Sequence, residues 1–414
     1  MNQANARAEA PGEEDAARET AADRGPGIRD AAEPSLLERL GLRYILRRSE
    51  RLPPAEDLDG IHFLNEDERR ALQRIERGMV ARAAAAGALS AFGAALVELW
   101  WTGRIGMDPA DSSLWETLEL WLLLGPAIGV FTAAEIGFLY WDSLRSVHDL
   151  TRAAGLNFEG AEAAREEAQT VALSMARAAL ELPNPTSGRW GIDPHREVSK
   201  LGMILVTALY KLKIGLTSFV LKTLIRRLLG RIVLRVWLVF VAVPVTAFWD
   251  AAVAFRVIRE ARIRVMGPSA ARSLLELLLT PAIAAGISAQ GKLALLRAVG
   301  GSIVRTHDRH PNHLALFDEV VRRLGPPGPE DLDDTSAFLA SLPELDADER
   351  AIALRVLAIA AMIDGRLTRH ERRLIEEARL ASGLDRSTAG IEALRRRFIR
   401  GETMQIEHLD AAAT

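Results

Sequence analysis

The chain contains no cysteine among its 414 residues. This absence excludes disulfide bonds, zinc sites with thiolate ligands and enzymes that use a thiol nucleophile. The sequence also lacks a glycine-rich phosphate-binding loop, a serine nucleophile elbow and any strand-rich segment. Because no group of residues identifies a catalysed reaction, we expect an all-α protein that is not an enzyme and that has no cofactor.

An excess of charge of either sign is also missing, with 52 basic and 55 acidic residues and a formal net charge of −3. This balance argues against a protein that binds nucleic acid as a simple polyanion. Residues 1–34 contain no apolar run of the signal-peptide type, so we expect internal segments to drive any membrane insertion. Their composition cannot bury enough apolar surface to offset the cost of ordering, and residues 1–60 are predicted to be disordered or weakly structured.

Two apolar segments predict a transmembrane helical hairpin within residues 61–152. Residues 83–101 and 120–141 each have the length that a bilayer requires, and aromatic residues gather at their ends, as at membrane interfaces. Small residues recur every four positions in both segments, which places them on one helix face where two helices approach closely. The predicted packing residues are Ala83, Gly87, Ala91 and Ala95 in the first segment and Gly125, Gly129, Ala133 and Gly137 in the second.

The basic residues predict an orientation, because they flank the outer ends of the hairpin and are scarce in its loop. We therefore expect a protein of the bacterial inner membrane with both termini in the cytoplasm. Charged groups inside a bilayer are costly, so the three acidic residues of the apolar segments are functional candidates. These are Glu98, Glu135 and Asp250.

Residues 153–305 are predicted to form amphipathic, membrane-associated helices. The segment 236–255 is long enough to span, but both of its flanks are basic, so a span, a re-entrant helix and a helix lying on an anionic leaflet remain open. The basic residues that we expect to face anionic lipid are Lys211, Lys222, Arg226, Arg227, Arg231 and Arg235. The run 241–250, followed by the Ala- and Arg-rich residues 251–264, resembles the EcsC-like family of membrane-associated helical proteins.

A linker rich in Pro, Asp and Gly, with one short helix at His313–Leu324, is predicted over residues 306–345, followed by a small helical domain over residues 346–414. In the linker, His307, Asp308, His310 and His313 offer metal ligands, but Pro311 interrupts them and we expect a solvated loop. In the domain, Asp346 with Glu349 and Thr368 with Glu371 have the spacing of helix N-caps followed by an acid.

The stretch 358–371 resembles the tellurite-resistance TerB-like family of small helical modules, in which an Asp-Gly turn separates two helices. Asp364, Gly365 and Glu371 stand at the matching positions. The resemblance implies a module fused to membrane or stress-response components and a divalent cation bound by Asp364 and Glu371. The competing interpretation is structural, with Glu371 capping its helix together with Thr368 and Asp364 completing the turn.

Three functions are consistent with this organisation. The first is a membrane-anchored scaffold or sensor, in an envelope stress response, whose C-terminal module binds a protein partner. The second is a lipid-interacting, membrane-remodelling protein. The third is an ion or proton conductor that forms by homo-oligomerisation around the intramembrane acids.

Overall fold

The computed structural model describes residues 35–50, 64–105, 114–154, 162–182, 184, 189–194, 196 and 235–413. This part of the chain contains helices and no β-strand, which confirms the predicted all-α class. In chain order the helices are α1 (Leu36–Glu50), α2 (Glu66–Ile105), α3 (Leu114–Ala153), α4 (Glu162–Ala179), α5 (Arg235–Leu278), α6 (Pro281–Gly286), α7 (Ala289–Thr306), α8 (Pro311–Leu324), α9 (Thr335–Ser341), α10 (Ala347–Ile363), α11 (Arg369–Ala381), α12 (Ala389–Arg400) and α13 (Ile406–Ala413).

Helices α2 and α3 pack side by side and run antiparallel. The Arg82 guanidinium donates from Nε to Asp142 Oδ1 at 2.7 Å. Gly93, which is eleven residues further along α2, lies against Phe131, which is eleven residues earlier in α3. Since later residues of one helix meet earlier residues of the other, the two helices form a hairpin in space.

Helix α5 packs along the same part of α2 and also runs antiparallel to it. Gly87 lies against Asp250, and the ring of Phe92 packs on that of Phe240 with centroids 5.8 Å apart. We refer to residues 79–105 of α2, 114–141 of α3 and 235–255 of α5 as the apolar bundle. Its helices continue out of one end into the remaining described residues, which we call the helical domain.

The small residues of α2 face α5. A Cβ added to Gly87 would lie 2.1 Å from Asp250 Oδ2 and 3.0 Å from the Thr246 carbonyl oxygen, so only glycine allows this approach. Ala83 and Ala95 are buried on the same helix, and Ala91 is half-buried. The first predicted stripe is therefore a packing face, but its partner is α5.

The second predicted stripe, on α3, does not pack against another helix. A Cβ added to Gly125, Gly129 or Gly137 would meet no atom within 4 Å, and Ala133 is exposed. Equal spacing places these residues on one face, but spacing carries no information on which face meets the partner. In α3 this face points away from α2 and α5.

The apolar bundle exposes large hydrophobic side chains around its circumference. In the described part of the chain, one helix segment, Glu66–Trp100, is long and apolar enough to cross a membrane. Only 17% of its most apolar window is buried, whereas the core helix of a soluble protein is mostly buried. The predicted spans 120–141 and 236–255 lie on α3 and α5, where the side chains at several positions are outside the described set. They remain predictions.

The helical domain has one continuous core to which most helices contribute. Ile45 of α1, Leu274 of α5, Phe317 of α8 and Phe398 of α12 belong to the same buried cluster and are at most 1% exposed. Burying side chains of this size stabilises the fold by roughly 1.5–3 kcal/mol each. Helix α5 supplies residues to both the apolar bundle and this core, and so joins the two.

Two predicted boundaries differ from the structure because apolar side chains in each segment are buried against helices that are distant in the sequence. Residues 306–345 contain α9 as well as α8, which overlaps the predicted short helix, and Phe317 and Phe338 are fully buried in the core cluster, so this segment is part of the core. Its prolines and acids act at helix starts: Pro311 occupies the first turn of α8, and Asp334 accepts from the Ala337 N–H as an N-cap. Helix α1, inside the predicted disordered region, packs on α4 through Gly41. Residues 1–34 lie outside the described residues.

Replacing Gly87 with alanine tests the close approach of α2 to α5. We expect Gly87→Ala to destabilise the protein by about 1–3 kcal/mol, because the added methyl group overlaps Asp250 and the Thr246 carbonyl group. The matched control is Gly129→Ala, in which the methyl group meets open space and which is expected to be neutral or to stabilise by about 0.5–1 kcal/mol. Thermal unfolding of both variants in the same detergent compares them. Equal unfolding temperatures would contradict the packing described here.

Candidate functional site at the junction of α5 with the C-terminal helices

A largely buried carboxylate, with 17% of its side chain exposed, lies where α5 leaves the apolar bundle and meets the C-terminal helices. Glu260 Oε1 accepts from Arg264 Nε at 3.0 Å and lies 3.0 Å from His310 Nε2. Its Oε2 accepts from Arg366 Nη2, also at 3.0 Å. The three partners come from α5, from the residue before α8 and from the turn between α10 and α11. One acid thus connects three separate segments, and we call this group the Glu260 junction.

The hydrogen bonds of His310 identify the ring nitrogen that carries the proton in the neutral form. Nδ1 accepts from the Asn312 backbone N–H at 3.2 Å as the N-cap of α8. Nε2 must therefore carry a hydrogen, which it donates to Glu260. Burial by itself would raise the pKa of the Glu260 carboxyl, but the bond from His310 and the charges of Arg264 and Arg366 outweigh it. The pKa is left well below the usual range, so Glu260 is ionised at neutral pH.

Arg264 extends the junction towards α4. Its Nη1 donates to the Ser174 carbonyl oxygen at 2.8 Å and its Nη2 to Asn184 Oδ1 at 3.1 Å. Asn184 in turn donates to Asp308 Oδ1 at 2.8 Å. Only 5% of the Arg264 side chain is exposed, so this charge has to be met by internal acceptors.

Asn312, two residues after His310, links α5 to the end of α10 through hydrogen bonds. Its Nδ2 donates both to the Ile263 carbonyl oxygen at 2.9 Å and to the Ile363 carbonyl oxygen at 2.7 Å. The side chain fits because residue 267 is glycine, where a Cβ would lie 2.0 Å from Asn312 Cγ. Next to it, the fully buried His313 ring lies with Nε2 2.9 Å from the Ala360 carbonyl oxygen. Burial lowers the pKa of His313, which favours the neutral ring.

The two predicted metal ligands, Asp364 and Glu371, lie beside this junction, where both accept hydrogen bonds at helix ends. Glu371 forms a complete capping box with Thr368, because Oε2 accepts from the Thr368 N–H at 2.9 Å while Thr368 Oγ1 accepts from the Glu371 N–H at 3.1 Å. Its Oε1 accepts from Ser302 Oγ at 3.0 Å, and Asp364 Oδ1 accepts from the Arg366 N–H at 2.8 Å. Among the described residues no group of three or more His, Asp and Glu is arranged to hold a metal ion.

The second predicted capping pair has a different arrangement. Asp346 accepts from the Glu349 N–H at 2.7 Å, as expected of an N-cap. The Glu349 carboxylate, however, does not complete a capping box. It accepts from the Ser288 N–H and hydroxyl at 2.6 and 2.9 Å, and so joins the start of α10 to the start of α7.

Two of the three acids that are predicted to lie in the membrane are at nearly the same level of the apolar bundle, and the third is distant. Asp250 is buried beside Gly87, whereas the pairing of Arg82 with Asp142 places the half-buried Glu135 level with about residue 89 of α2, about 3 Å further along at 1.5 Å per residue. Glu98, also half-buried, lies about 14 Å beyond that level. The acids therefore do not form one cluster.

The predicted lipid-facing basic residues fall largely outside the described residues, which exclude 197–234. This applies to Lys211, Lys222, Arg226, Arg227 and Arg231. Arg235 is the first residue of α5.

The Glu260 junction was not predicted from the sequence, although the sequence contains a signal for one of its residues, His310. His310 precedes Pro311, and a polar residue followed by proline is typical of a helix start, which would have placed His310 in an ordered N-cap instead of a solvated loop. Glu260, Arg264 and Arg366 are ordinary charged residues in their local sequence. Their meeting results from the packing of α5 against α8 and α10, which a local pattern does not reveal.

Comparison of the chain with models of known protein families, with curated proteins and with solved structures found no match. The resemblances to the TerB-like and EcsC-like families therefore stay predictions. The site itself consists of charged groups that bind one another: its carboxylates, guanidinium groups and histidine hold α5, α8 and the α10–α11 turn together. Such an arrangement can fix the position of a long helix relative to its neighbours.

The pH dependence of stability tests the environment of Glu371. Burial and the nearby charge of Asp364 together raise the pKa of this carboxyl to about 8, against the opposing bonds from Thr368 and Ser302. The folded protein then holds a proton that the unfolded chain, with its ordinary pKa of 4.5, has released. The free energy of unfolding is therefore expected to fall as pH rises from about 4.5 to about 8, by up to about 5 kcal/mol.

Denaturant unfolding across this pH range measures the effect in the wild type, in Glu371→Gln and in the control Glu376→Gln on the same helix. The glutamine at 371 cannot ionise, so we expect its curve to be flatter, while the control follows the wild type. A Glu371→Gln curve that is as steep as the wild-type curve would refute this assignment.

Proposed function

We propose that the protein is a membrane-anchored scaffold or sensor, in which the apolar bundle lies in the bacterial inner membrane and the helical domain lies in the cytoplasm. The observation that carries this proposal is the continuity of α5. Its first half packs on α2 and α3, and its second half forms part of the core of the helical domain and carries Glu260 and Arg264. A single helix thus links a surface suited to lipid with a buried polar junction.

The exposed side chains of the apolar bundle support anchoring in a bilayer. A large continuous apolar surface is unusual on a soluble monomer and marks a partner or a membrane. Here it occurs on all three helices, which is expected where lipid surrounds a bundle. The exposed residues are Leu89, Phe92, Leu96 and Trp100 on α2, Leu122, Val130, Ile136, Tyr140 and Trp141 on α3, and Val245, Phe248, Trp249 and Phe255 on α5.

The packing of α5 bears on the alternatives left open for residues 236–255. A helix that lies flat on a leaflet would cross α2 at a steep angle if α2 spans. Instead, α5 follows α2 from Phe240 beside Phe92 to Arg262 beside Glu76, where the Arg262 Nη1 to Glu76 Oε1 distance is 3.2 Å. This alignment favours a third span beside the hairpin.

The exposed surface of the C-terminal helices supports a binding role. Basic side chains predominate on the solvent faces of α11, α12 and the turn between them, and they suit a partner protein with an acidic surface. These exposed residues are Arg369, Arg373, Arg386, Arg396 and Arg400. The resemblance to the TerB-like family implies a stress response of the cell envelope as the setting.

One observation favours a second candidate, the oligomeric conductor. The exposed stripe of Gly125, Gly129, Ala133 and Gly137 on α3 would allow a close helix contact with a second copy. Glu98 lies about 14 Å from the level of Glu135, a gap that does not support a proton path through these acids within one copy. We therefore rank this candidate below the scaffold.

The absence of cysteine allows a direct test of orientation with single cysteine variants. Arg104→Cys lies at the hairpin end of the apolar bundle, and Glu407→Cys lies on the helical domain. A membrane-impermeant maleimide should label Arg104→Cys in intact spheroplasts and should label Glu407→Cys only after lysis. Labelling of Glu407→Cys in intact spheroplasts would place the helical domain outside and would end the proposal of a cytoplasmic sensor.

An insertion into α5 tests whether this helix couples the membrane to the helical domain. In vesicles of lipids with increasing chain length, we expect the rate of amide hydrogen exchange in α10 to change in the wild type. The expected cause is a shift of α5 relative to α10 at the Glu260 junction. Four glycines inserted between Phe255 and Arg256 should abolish the response, because glycine interrupts a stiff helix.

The control carries the same insertion between Gly328 and Pro329, in the exposed loop after α8, and should respond as the wild type does. Identical exchange in all lipids for the wild type, or an undiminished response after insertion into α5, would contradict coupling through this helix.

A further inference from the structure

Two arginine–tryptophan pairs lie at opposite ends of the apolar bundle. The Arg104 guanidinium lies over the Trp100 ring of α2 at 5.1 Å, and the Arg145 guanidinium lies over the Trp141 ring of α3 at 5.5 Å. The contact of Arg82 with Asp142 places Trp141 level with about residue 83 of α2, so the two tryptophans are about 25 Å apart along the bundle at 1.5 Å per residue. This length is close to the roughly 30 Å of a hydrocarbon core, whose two interfaces attract tryptophan.

Just beyond Trp141, on the side of the helical domain, exposed arginines from all three helices lie at one level. Arg256 and Arg259 of α5 lie opposite about residues 78–81 of α2, as the contact of Gly87 with Asp250 requires. Arg145 of α3 lies at the same level. We name this set the arginine collar, and its members are Arg74, Arg77, Arg145, Arg256 and Arg259, all of them exposed.

The carboxylates near the collar are engaged by other arginines. Glu76 pairs with Arg262 at 3.2 Å, the buried Asp142 pairs with Arg82 at 2.7 Å, and Asp149 lies closer to Arg48, at 3.0 Å, than to Arg145, at 3.8 Å. Within the described residues no carboxylate lies within 4 Å of the guanidinium groups of Arg77, Arg256 or Arg259. The collar therefore presents positive charge to its surroundings at the depth where lipid headgroups begin.

We propose that the arginine collar is a binding surface for the phosphate headgroups of anionic lipids in the cytoplasmic leaflet. This inference rests on the proposed membrane insertion and assigns the lipid contact to residues around the bundle. A guanidinium group binds a phosphate group through two parallel hydrogen bonds, and anionic headgroups attract an arginine near the surface by about 1 kcal/mol. That attraction corresponds to about a fivefold preference for each arginine.

The experiment uses the full chain reconstituted in vesicles of phosphatidylcholine that contain brominated phosphatidylglycerol or, for comparison, brominated phosphatidylcholine. Each protein keeps Trp141, next to the collar, as its single tryptophan, with the other seven replaced by phenylalanine. Because bromine quenches tryptophan fluorescence at short range, quenching of Trp141 then reports the relative binding constant of the two lipids at the collar. The variants are Arg77→Gln/Arg256→Gln/Arg259→Gln and the control Arg373→Gln/Arg386→Gln, which removes exposed charge from the helical domain.

We expect the wild type and the control to bind phosphatidylglycerol several-fold more strongly than phosphatidylcholine, and the triple variant to lose most of this preference. The preference should weaken in high salt. Three results would overturn the proposal. They are equal binding of the two lipids by the wild type, an unchanged preference in the triple variant, and complete displacement of phosphatidylglycerol from the wild type by inorganic phosphate. Correct labelling of Arg104→Cys and Glu407→Cys together with any of these results leaves the membrane anchor in place and rejects only the collar.

Discussion

A carboxylate that is buried where α5 meets the C-terminal helices has to be balanced by positive charge, and the helical domain is arranged around this requirement. Taking an ion out of water costs several kcal/mol, and the cost is recovered only when well-placed partners surround it. Glu260 meets Arg264, His310 and Arg366, all of which donate to it at 3.0 Å. Because these donors belong to separate segments, the carboxylate can be satisfied only when α5, α8 and the α10–α11 turn are all in place.

In the same region, single residues both complete a helix end and contact a distant segment of the chain. His310 is both the N-cap of α8 and a donor to Glu260, and one tautomer satisfies both roles. Arg366 follows the Asp-Gly turn that ends α10, so the turn that stops one helix also delivers a guanidinium group to the junction. Residues that appear ordinary in the sequence thus acquire their importance from the place where the chain brings them.

The proposed function follows from the geometry of a single helix. Among the described residues of the junction, the charged groups bind one another and are not arranged as a nucleophile with its base. The role proposed for the junction is to transmit a displacement, because α5 reaches from the apolar bundle into this network as one helix. The arginine collar lies between the two environments, where α5 leaves the apolar bundle.

The all-α fold class and several local features could be predicted from the sequence. Helical periodicity and the absence of strand-rich segments predicted an all-α protein, because these patterns depend only on neighbouring residues. The capping box of Thr368 and Glu371 was predictable for the same reason. The apolar length of residues 83–101 identified the candidate span, since hydropathy is a property of one segment.

The partners of these elements were decided only by the tertiary structure. The spacing of Gly87 showed that it lies on a small-residue face, but only packing showed that this face meets Asp250 of α5, while the matching glycines of α3 face outward. The composition of residues 306–345 indicated a linker, but Phe317 and Phe338 find burial against distant helices. A sequence determines which surfaces are apolar, charged or able to bend; which of them meet depends on contacts between residues that are far apart in the chain, such as Glu260 and Arg366.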